Sequence, residues 1–166
     1  SSRPVNDEPM SQGTRCRQLA EYVVFDSPLN MLCDSPSNYM AEQECLDFIS
    51  SVPTVWDETR GLDGKVGEYI TIARRSGDIW YVGGMTDWSA RTLNIPLDFL
   101  ADGDYEMEIY LDGANAHRAG RDYRKMILGF KVADGRIYSN STILSDGSLS
   151  AQMAPGGGFV AEIIKK

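Results

Sequence analysis

The chain has 166 residues, room for one ordinary domain or for a domain of about 100 residues with an appended piece; a complete eightfold α/β barrel needs about 250. Hydrophobic residues at 42% and charged residues at 24% permit a buried core and exclude wholesale disorder. A net charge of −8 sets aside nucleic acid and anionic membranes as main partners, since both reward clustered Lys and Arg, and leaves a neutral ligand such as a sugar open.

In chain order, the first eight residues carry no apolar signal-peptide core. No run of about 18 apolar residues occurs anywhere, so no membrane-spanning helix is expected. From Thr14 onward, Cys16, Leu19, Ala20, Val23, Val24 and Ser27 follow helical spacing and predict an amphipathic helix capped by Thr14. Pro28 should kink it, and Asp34-Ser35-Pro36-Ser37 should end it. A second helix is expected over 38–50, with Ala41, Cys45, Leu46 and Ile49 on one face and Ser37 or Asn38 as its cap. Cys16, Cys33 and Cys45 all fall on apolar helix faces without CxxC spacing, so buried free thiols are expected rather than a zinc site or a disulfide framework. Val52-Pro53-Thr54-Val55-Trp56 reads as a short buried strand.

A charge seam follows at Leu62-Asp63-Gly64-Lys65. Residues 1–63 hold 4 basic and 11 acidic side chains, a balance of −7, whereas 64–166 hold 12 and 13, a balance of −1. Beyond it the pattern turns to alternating strands: 66–74 and 79–85 around the turn Ser76-Gly77-Asp78, then 91–97, 105–111, 123–132, 136–144, 149–153 and 159–164. Asp112-Gly113, Ala133-Asp134-Gly135, Asp146-Gly147 and Pro155-Gly156-Gly157-Gly158 are the turn signals between them. About eight short strands without a helix-length gap imply an antiparallel β-sandwich, so the whole chain is expected to be α+β.

Candidate chemistry is sparse. Asp57 and Glu58 could serve as acid and base in glycosidic cleavage, with Trp56 as a stacking face for a sugar ring. Neighbours on an extended chain point to opposite faces, however, so the two carboxylates do not converge as they stand. His117 is the only histidine; it excludes a His-rich metal site and reads as part of a polar loop. Gly156-Gly157-Gly158 lacks the Lys and Ser/Thr of a phosphate loop and reads as a turn. Asn140-Ser141-Thr142 matches a glycosylation sequon, a weak signal.

Several ordered stretches carry a resemblance: Met10-Ser11-Gln12-Gly13-Thr14-Arg15; Leu19-Ala20-Glu21-Tyr22-Val23-Val24-Phe25-Asp26-Ser27-Pro28-Leu29-Asn30-Met31-Leu32; Val52-Pro53-Thr54-Val55-Trp56-Asp57-Glu58-Thr59; and Gly64-Lys65-Val66-Gly67-Glu68-Tyr69. Trp80-Tyr81-Val82-Gly83-Gly84-Met85-Thr86-Asp87-Trp88, Asp112-Gly113-Ala114-Asn115-Ala116 and Met153-Ala154-Pro155-Gly156-Gly157-Gly158 continue it. Over nearly the whole chain the sequence resembles the C-terminal end of glycoside hydrolase family 97, which comprises α-glucosidases and α-galactosidases. The resemblance implies that residues 1–63 are the last helices and strand of the catalytic (β/α)8 barrel and that 64–166 are the C-terminal β-sandwich. It places Gln12, Arg15, Trp56, Asp57 and Glu58 on the barrel face that contacts substrate. It assigns the catalytic carboxylates and the calcium ligands to parts of the enzyme that do not map onto this sequence, so no catalytic or metal-binding residue is expected here, and Ca2+ is implied for the full-length enzyme. A periplasmic or secreted location is implied for that parent, with an oligosaccharide substrate and with the N-terminal and barrel domains as partners.

A barrel sector of about 60 residues leaves apolar helix faces that must pack on the sandwich or on another copy, so self-association is expected. The leading reading is therefore a structural or oligomerisation domain. The alternatives are a carbohydrate-binding module using Trp80, Tyr81 or Trp88, for which exposed coplanar aromatics would speak, and a small hydrolase using Asp57 and Glu58.

Overall fold

A computed structural model describes residues 13–25 and 43–166; the expectations for Gln12, Ser27, Pro28, Cys33, Ser37, Asn38 and Ala41 lie outside these residues. Two short helices, α1 (Arg15–Val24) and α2 (Gln43–Ser51), precede ten strands: β1 (Glu58–Lys65), β2 (Tyr69–Ser76), β3 (Ile79–Thr86), β4 (Arg91–Pro96), β5 (Gly103–Asp112), β6 (Tyr123–Ala133), β7 (Arg136–Tyr138), β8 (Leu144–Ser145), β9 (Ser148–Met153) and β10 (Gly158–Lys165). Seven strands form one antiparallel sheet in the order β1-β2-β3-β10-β5-β6-β7, and three form a second in the order β4-β9-β8. The last strand of the chain, β10, lies in the middle of the large sheet, paired with β3 and β5 over its length.

Both faces of that sheet are covered, which is why β3 and β10 are apolar at nearly every position rather than alternating. Trp80 and Val82 of β3, Met107, Ile109 and Leu111 of β5, and Phe159, Ala161 and Ile163 of β10 point to the small sheet and join Ile95, Leu149, Ala151 and Met153 in one core. Their neighbours in sequence, Tyr81, Tyr110 and Val160, face the other way and pack with Cys16, Leu19, Val23, Cys45 and Phe48 of the helices. The result is three layers, helices over a large sheet over a small sheet. The β-sandwich expected from the strand pattern is present in this broad form.

The helices form for the reasons read from the sequence. Thr14 is extended and its hydroxyl accepts from the Arg17 N–H at 3.1 Å, so it caps α1. Cys16, Leu19, Ala20, Val23 and Val24 are all buried, joined by Tyr22. In α2 the buried pair is Cys45 and Phe48; the expected face of Cys45, Leu46 and Ile49 omits Phe48, and Leu46 and Ile49 are only half-buried. Cys16 and Cys45 are buried free thiols, as expected.

Three expectations about strands are corrected. Residues 52–56 form no strand: Val55 is 77% exposed, and Trp56 lies edge-on against Tyr81 with ring centroids 5.3 Å apart, covering the sheet's face instead of extending its edge. The first strand is β1, which pairs with β2 in a register that shifts between Gly61 and Asp63. Its sequence is polar and contains two glycines, and as an edge strand it is mostly exposed, so it has no apolar alternation to read. The charge seam at 62–65 falls inside β1. Finally, the expected strand over 136–144 is two short pieces, β7 and β8, with a break between them, and Val66 is fully exposed in the β1–β2 turn.

Candidate functional site

The sheet face under the helices carries nearly all the unusual chemistry of the described residues. At one end, α1 is seated on glycine. A Cβ on Gly158 would lie 2.8 Å from the Arg17 Cα, and one on Gly83 would lie 3.1 Å from the Val23 Cβ. Only the absence of side chains on β3 and β10 lets the helix backbone come this close.

The N-terminus of α1 is tied to the same point. Thr14 N–H donates to the Gly156 carbonyl at 3.1 Å, Arg15 N–H to the Gly120 carbonyl at 2.7 Å, and Arg17 Nη1 to the Thr86 carbonyl at 2.7 Å. Asp112, at the end of β5, stands at the centre: its Oδ2 accepts from Ala154 N–H at 2.8 Å and from Gly158 N–H at 3.2 Å. Burial pushes the Asp112 carboxyl up, against the lowering effect of bonds from Thr14 and from those backbone groups. The Cys16 thiol beside it is pushed well up by burial and by the nearby Asp112 charge. A thiol held in that state is a poor nucleophile, which fits a structural part.

The second cluster lies under α2. Glu108 of β5 and Glu162 of β10 are direct cross-strand partners. Tyr81 donates to Glu162 at 2.9 Å, Tyr110 to Glu108 at 3.1 Å, and Tyr123 to Glu44 of α2 at 2.8 Å. Lys125 sits among the carboxylates, 3.2 Å from Glu44 and 3.5 Å from Glu108. Burial and the adjacent Glu108 charge raise the Glu162 carboxyl above the ordinary range. All three tyrosines are pushed up, chiefly by burial. Burial lowers Lys125, but Glu44 and Glu108 reverse that and leave it raised. Glu44 thus fastens α2 to Tyr123 and Lys125 of β6, and Lys125 carries the contact on to Glu108 of β5.

The residues singled out in the sequence do not gather at either cluster. Arg15 stands at the α1 end, its guanidinium 3.4 Å from Gln18. Trp56 lies half-buried beside Tyr81 with the Arg74 guanidinium 5.8 Å from its ring centre. Asp57 accepts from Gly77 N–H at 2.8 Å in the β2–β3 turn. Glu58 pairs with Arg60 at 2.6 Å and Arg75 at 3.4 Å, and the Arg60 bond first of all holds its carboxyl below the usual range. Since β3 runs from that turn at Ile79 to Thr86 beside α1, Arg15 and the 56–58 segment sit at opposite ends of the strand, roughly 23 Å apart at 3.3 Å per residue. His117 lies in the loop between β5 and β6, as expected.

Of the three aromatics considered for stacking on a sugar, Trp80 is 8% and Tyr81 2% exposed; Trp88 is 60% exposed, with one side of its ring against Gly156. No coplanar exposed set forms among them. Among the described residues no three His, Cys, Asp or Glu side chains are grouped so as to hold a metal ion. No helix among them is long and apolar enough to cross a membrane.

The sequence reading missed Asp112, Glu108, Glu162 and Lys125. A signal existed for one of them: Glu162 is a lone charge in the otherwise apolar run Phe159-Val160-Ala161-Glu162-Ile163-Ile164, and a buried acid implies a partner.

Comparison with known proteins gives this geometry a setting. A family model described as "Glycosyl-hydrolase 97 C-terminal, oligomerisation" matches residues 55–164. The retaining alpha-galactosidase of Bacteroides thetaiotaomicron is 56% identical over 160 residues, which cover 96% of this chain and 22% of that protein. A probable retaining alpha-galactosidase of Streptomyces bingchenggensis is 28% identical over 144 residues, 87% of this chain and 20% of that one. Among solved structures, a glycoside hydrolase family 97 enzyme from Pseudoalteromonas sp., in complex with acarbose, superimposes with a TM-score of 0.72 at 35% identity, over 93% of this chain and 23% of that chain. The chain therefore spans about a fifth of the length of the curated relatives it matches.

Proposed function

Because the chain belongs to the C-terminal domain family of glycosyl hydrolase 97, we propose that it is the assembly-forming and non-catalytic part of an α-galactosidase-type enzyme. The observation that carries this reading is the family match over 55–164, which spans the large sheet from β1 to β10 and the small sheet packed on it. The two clusters support it: each ties a helix to the sheet, and the Cys16 thiol beside the Asp112 carboxylate is buried and held protonated. Asp57 and Glu58 are engaged by Gly77, Arg60 and Arg75 in holding the β1–β2–β3 edge together.

In this reading α1 and α2 are the last helices of the catalytic barrel, and the seat of α1 on Gly83 and Gly158 with the bonds of Glu44 to Tyr123 and Lys125 fixes the barrel to the sandwich. Catalytic carboxylates and calcium are supplied by the rest of the enzyme, and the substrate contacts of Gln12, Arg15, Trp56, Asp57 and Glu58 are made only there. Self-association is the activity this chain brings. The purified chain is expected to hydrolyse no aryl α-galactoside and to sediment above its monomer mass. Hydrolysis abolished by Glu58→Gln, or a strictly monomeric chain at high concentration, overturns the reading.

A further inference from the structure

The sequence left the apolar helix faces to pack on the sandwich or on another copy; α1 and α2 pack those faces onto their own sheet, so the buried faces of α1 and α2 are not the contact between copies. The large sheet has two edges, and they are unlike. At the β1 edge, Glu58, Arg60, Asp63 and Lys65 line the strand and its pairing register shifts between Gly61 and Asp63; charge and irregularity of this kind discourage a further strand. At the other edge, the eleven-residue β6 is paired by β7 only at Lys131, Val132 and Ala133. Among the described residues nothing pairs with the outer side of β6 over residues 123–130. That stretch contains Met126-Ile127-Leu128, with Ile127 61% exposed and Met126 and Leu128 only partly buried at the rim of the sandwich core.

We propose that the free edge of β6 pairs antiparallel with the same edge of a second copy, around a twofold axis at Ile127, so that two seven-stranded sheets become one continuous sheet. The inference rests on the oligomerisation reading above and names its surface. A twofold axis perpendicular to a sheet keeps each side chain on its own face, so the axis must pass through a residue facing its own copy, as in any isologous contact. Centred on Ile127, the register sets Ile127 on Ile127 at the helix-side face and Met126 on Leu128 at the sandwich-side face, closing both layers. It sets Lys125 against Gly129 and Arg124 against Phe130, so no like charges are opposed. Gly129 carries no side chain, and a Cβ there would meet only the Tyr105 carbonyl oxygen, 4.0 Å away, which lets Lys125 keep its contacts with Glu44 and Glu108. Centred on Lys125 the register would oppose two lysines, and centred on Leu128 it would oppose Lys125 to Lys131, where β7 already occupies the edge. Residues 124–130 then form the shared ladder, an edge-to-edge addition of strands.

Sedimentation velocity on the 166-residue chain tests this with Ile127→Lys, which sets two ammonium groups against each other on the axis, and with Thr59→Lys on the opposite edge. The wild type and Thr59→Lys are expected to dimerise alike, and Ile127→Lys to weaken the dimer by at least about 30-fold through lost apolar burial on both copies. Ile127 is mostly exposed, so circular dichroism should show the variant folded. Oxidised Ile127→Cys provides the second arm and should run as a disulfide-linked dimer where oxidised wild type does not. A wild-type chain that stays monomeric removes the oligomerisation reading itself. A wild-type dimer that Ile127→Lys leaves intact, or that Ile127→Cys fails to link, removes the β6 edge and leaves that reading standing.

Discussion

The two faces of the large sheet are built on different principles. The sandwich face is an aliphatic and aromatic core in which side chains such as Met107, Ile109 and Ile163 are wholly buried and have no polar partners to satisfy. The helix face is a fitted joint: glycines admit α1, Arg17 bonds the Thr86 carbonyl, Glu44 of α2 is held by Tyr123 and Lys125, and Asp112, Glu108 and Glu162 order the strands beneath by directional bonds. Apolar burial is non-directional and tolerates sliding, whereas buried polar bonds fix one position. The difference implies that stability resides mainly on the sandwich side and that the helix side sets the fixed position of whatever α1 and α2 are continuous with.

Substitutions that distinguish the faces can break this contrast. The largest effect is expected from Met107→Ala, which opens a cavity in the sandwich core and should cost about 2–5 kcal/mol, seen as a lower urea midpoint for the whole molecule. Gly158→Ala places a Cβ 2.8 Å from the Arg17 Cα and should cost about 1–3 kcal/mol by overpacking. Its signature should be local, with faster amide exchange in residues 15–24. If Gly158→Ala leaves that exchange unchanged, α1 is not seated as described.

Smaller effects sharpen the same picture. Thr14→Ala removes the cap of α1 and should cost about 1 kcal/mol, measured by thermal unfolding. Glu162→Gln should act in the opposite direction. The Glu162 carboxyl is raised from 4.5 in the folded chain by burial and by Glu108, so its protonated form is the favoured one, and its contribution falls away as pH rises through the folded value. The wild type should therefore gain on Glu162→Gln at neutral pH, by under about 1 kcal/mol given its partial exposure. The two Tm values should converge as the pH falls below the ordinary carboxylate range. A variant that is less stable than wild type at neutral pH would show that the ionised carboxylate is needed at the joint.

Much of this architecture was legible from the residues. Thr14 and the spacing from Cys16 to Val24 place α1, and Gly77-Asp78, Asp134-Gly135 and Asp146-Gly147 mark hairpins, with Asp134 and Asp146 adopting the positive φ that such turns require. What was illegible has a physical cause in each case. β1 is an edge strand with two glycines and solvent on most of its surface, so nothing in its pattern demands pairing. In residues 52–56, Val52 and Trp56 pack against the helix-side core, with Trp56 covering Tyr81, and periodicity cannot tell covering a face from joining an edge. The polar joint escaped because its members come from α2, β5, β6 and β10, and no sequence spacing links Glu44 to Lys125 or Glu108 to Glu162. The free edge of β6 escaped for the same reason, since only the pairing shows that β7 stops at three residues.

The helix face acts as an internal joint, and association uses the β6 edge. Hydrogen–deuterium exchange of the 166-residue chain, read by mass spectrometry at two concentrations on either side of dimer formation, tests it most directly. Peptides from α1 should be protected equally at both concentrations, while peptides spanning residues 124–130 should slow at the higher one and those from β1 should not change. Concentration-dependent protection of α1 with none in β6 would contradict the account, because the helices would then be the surface between copies.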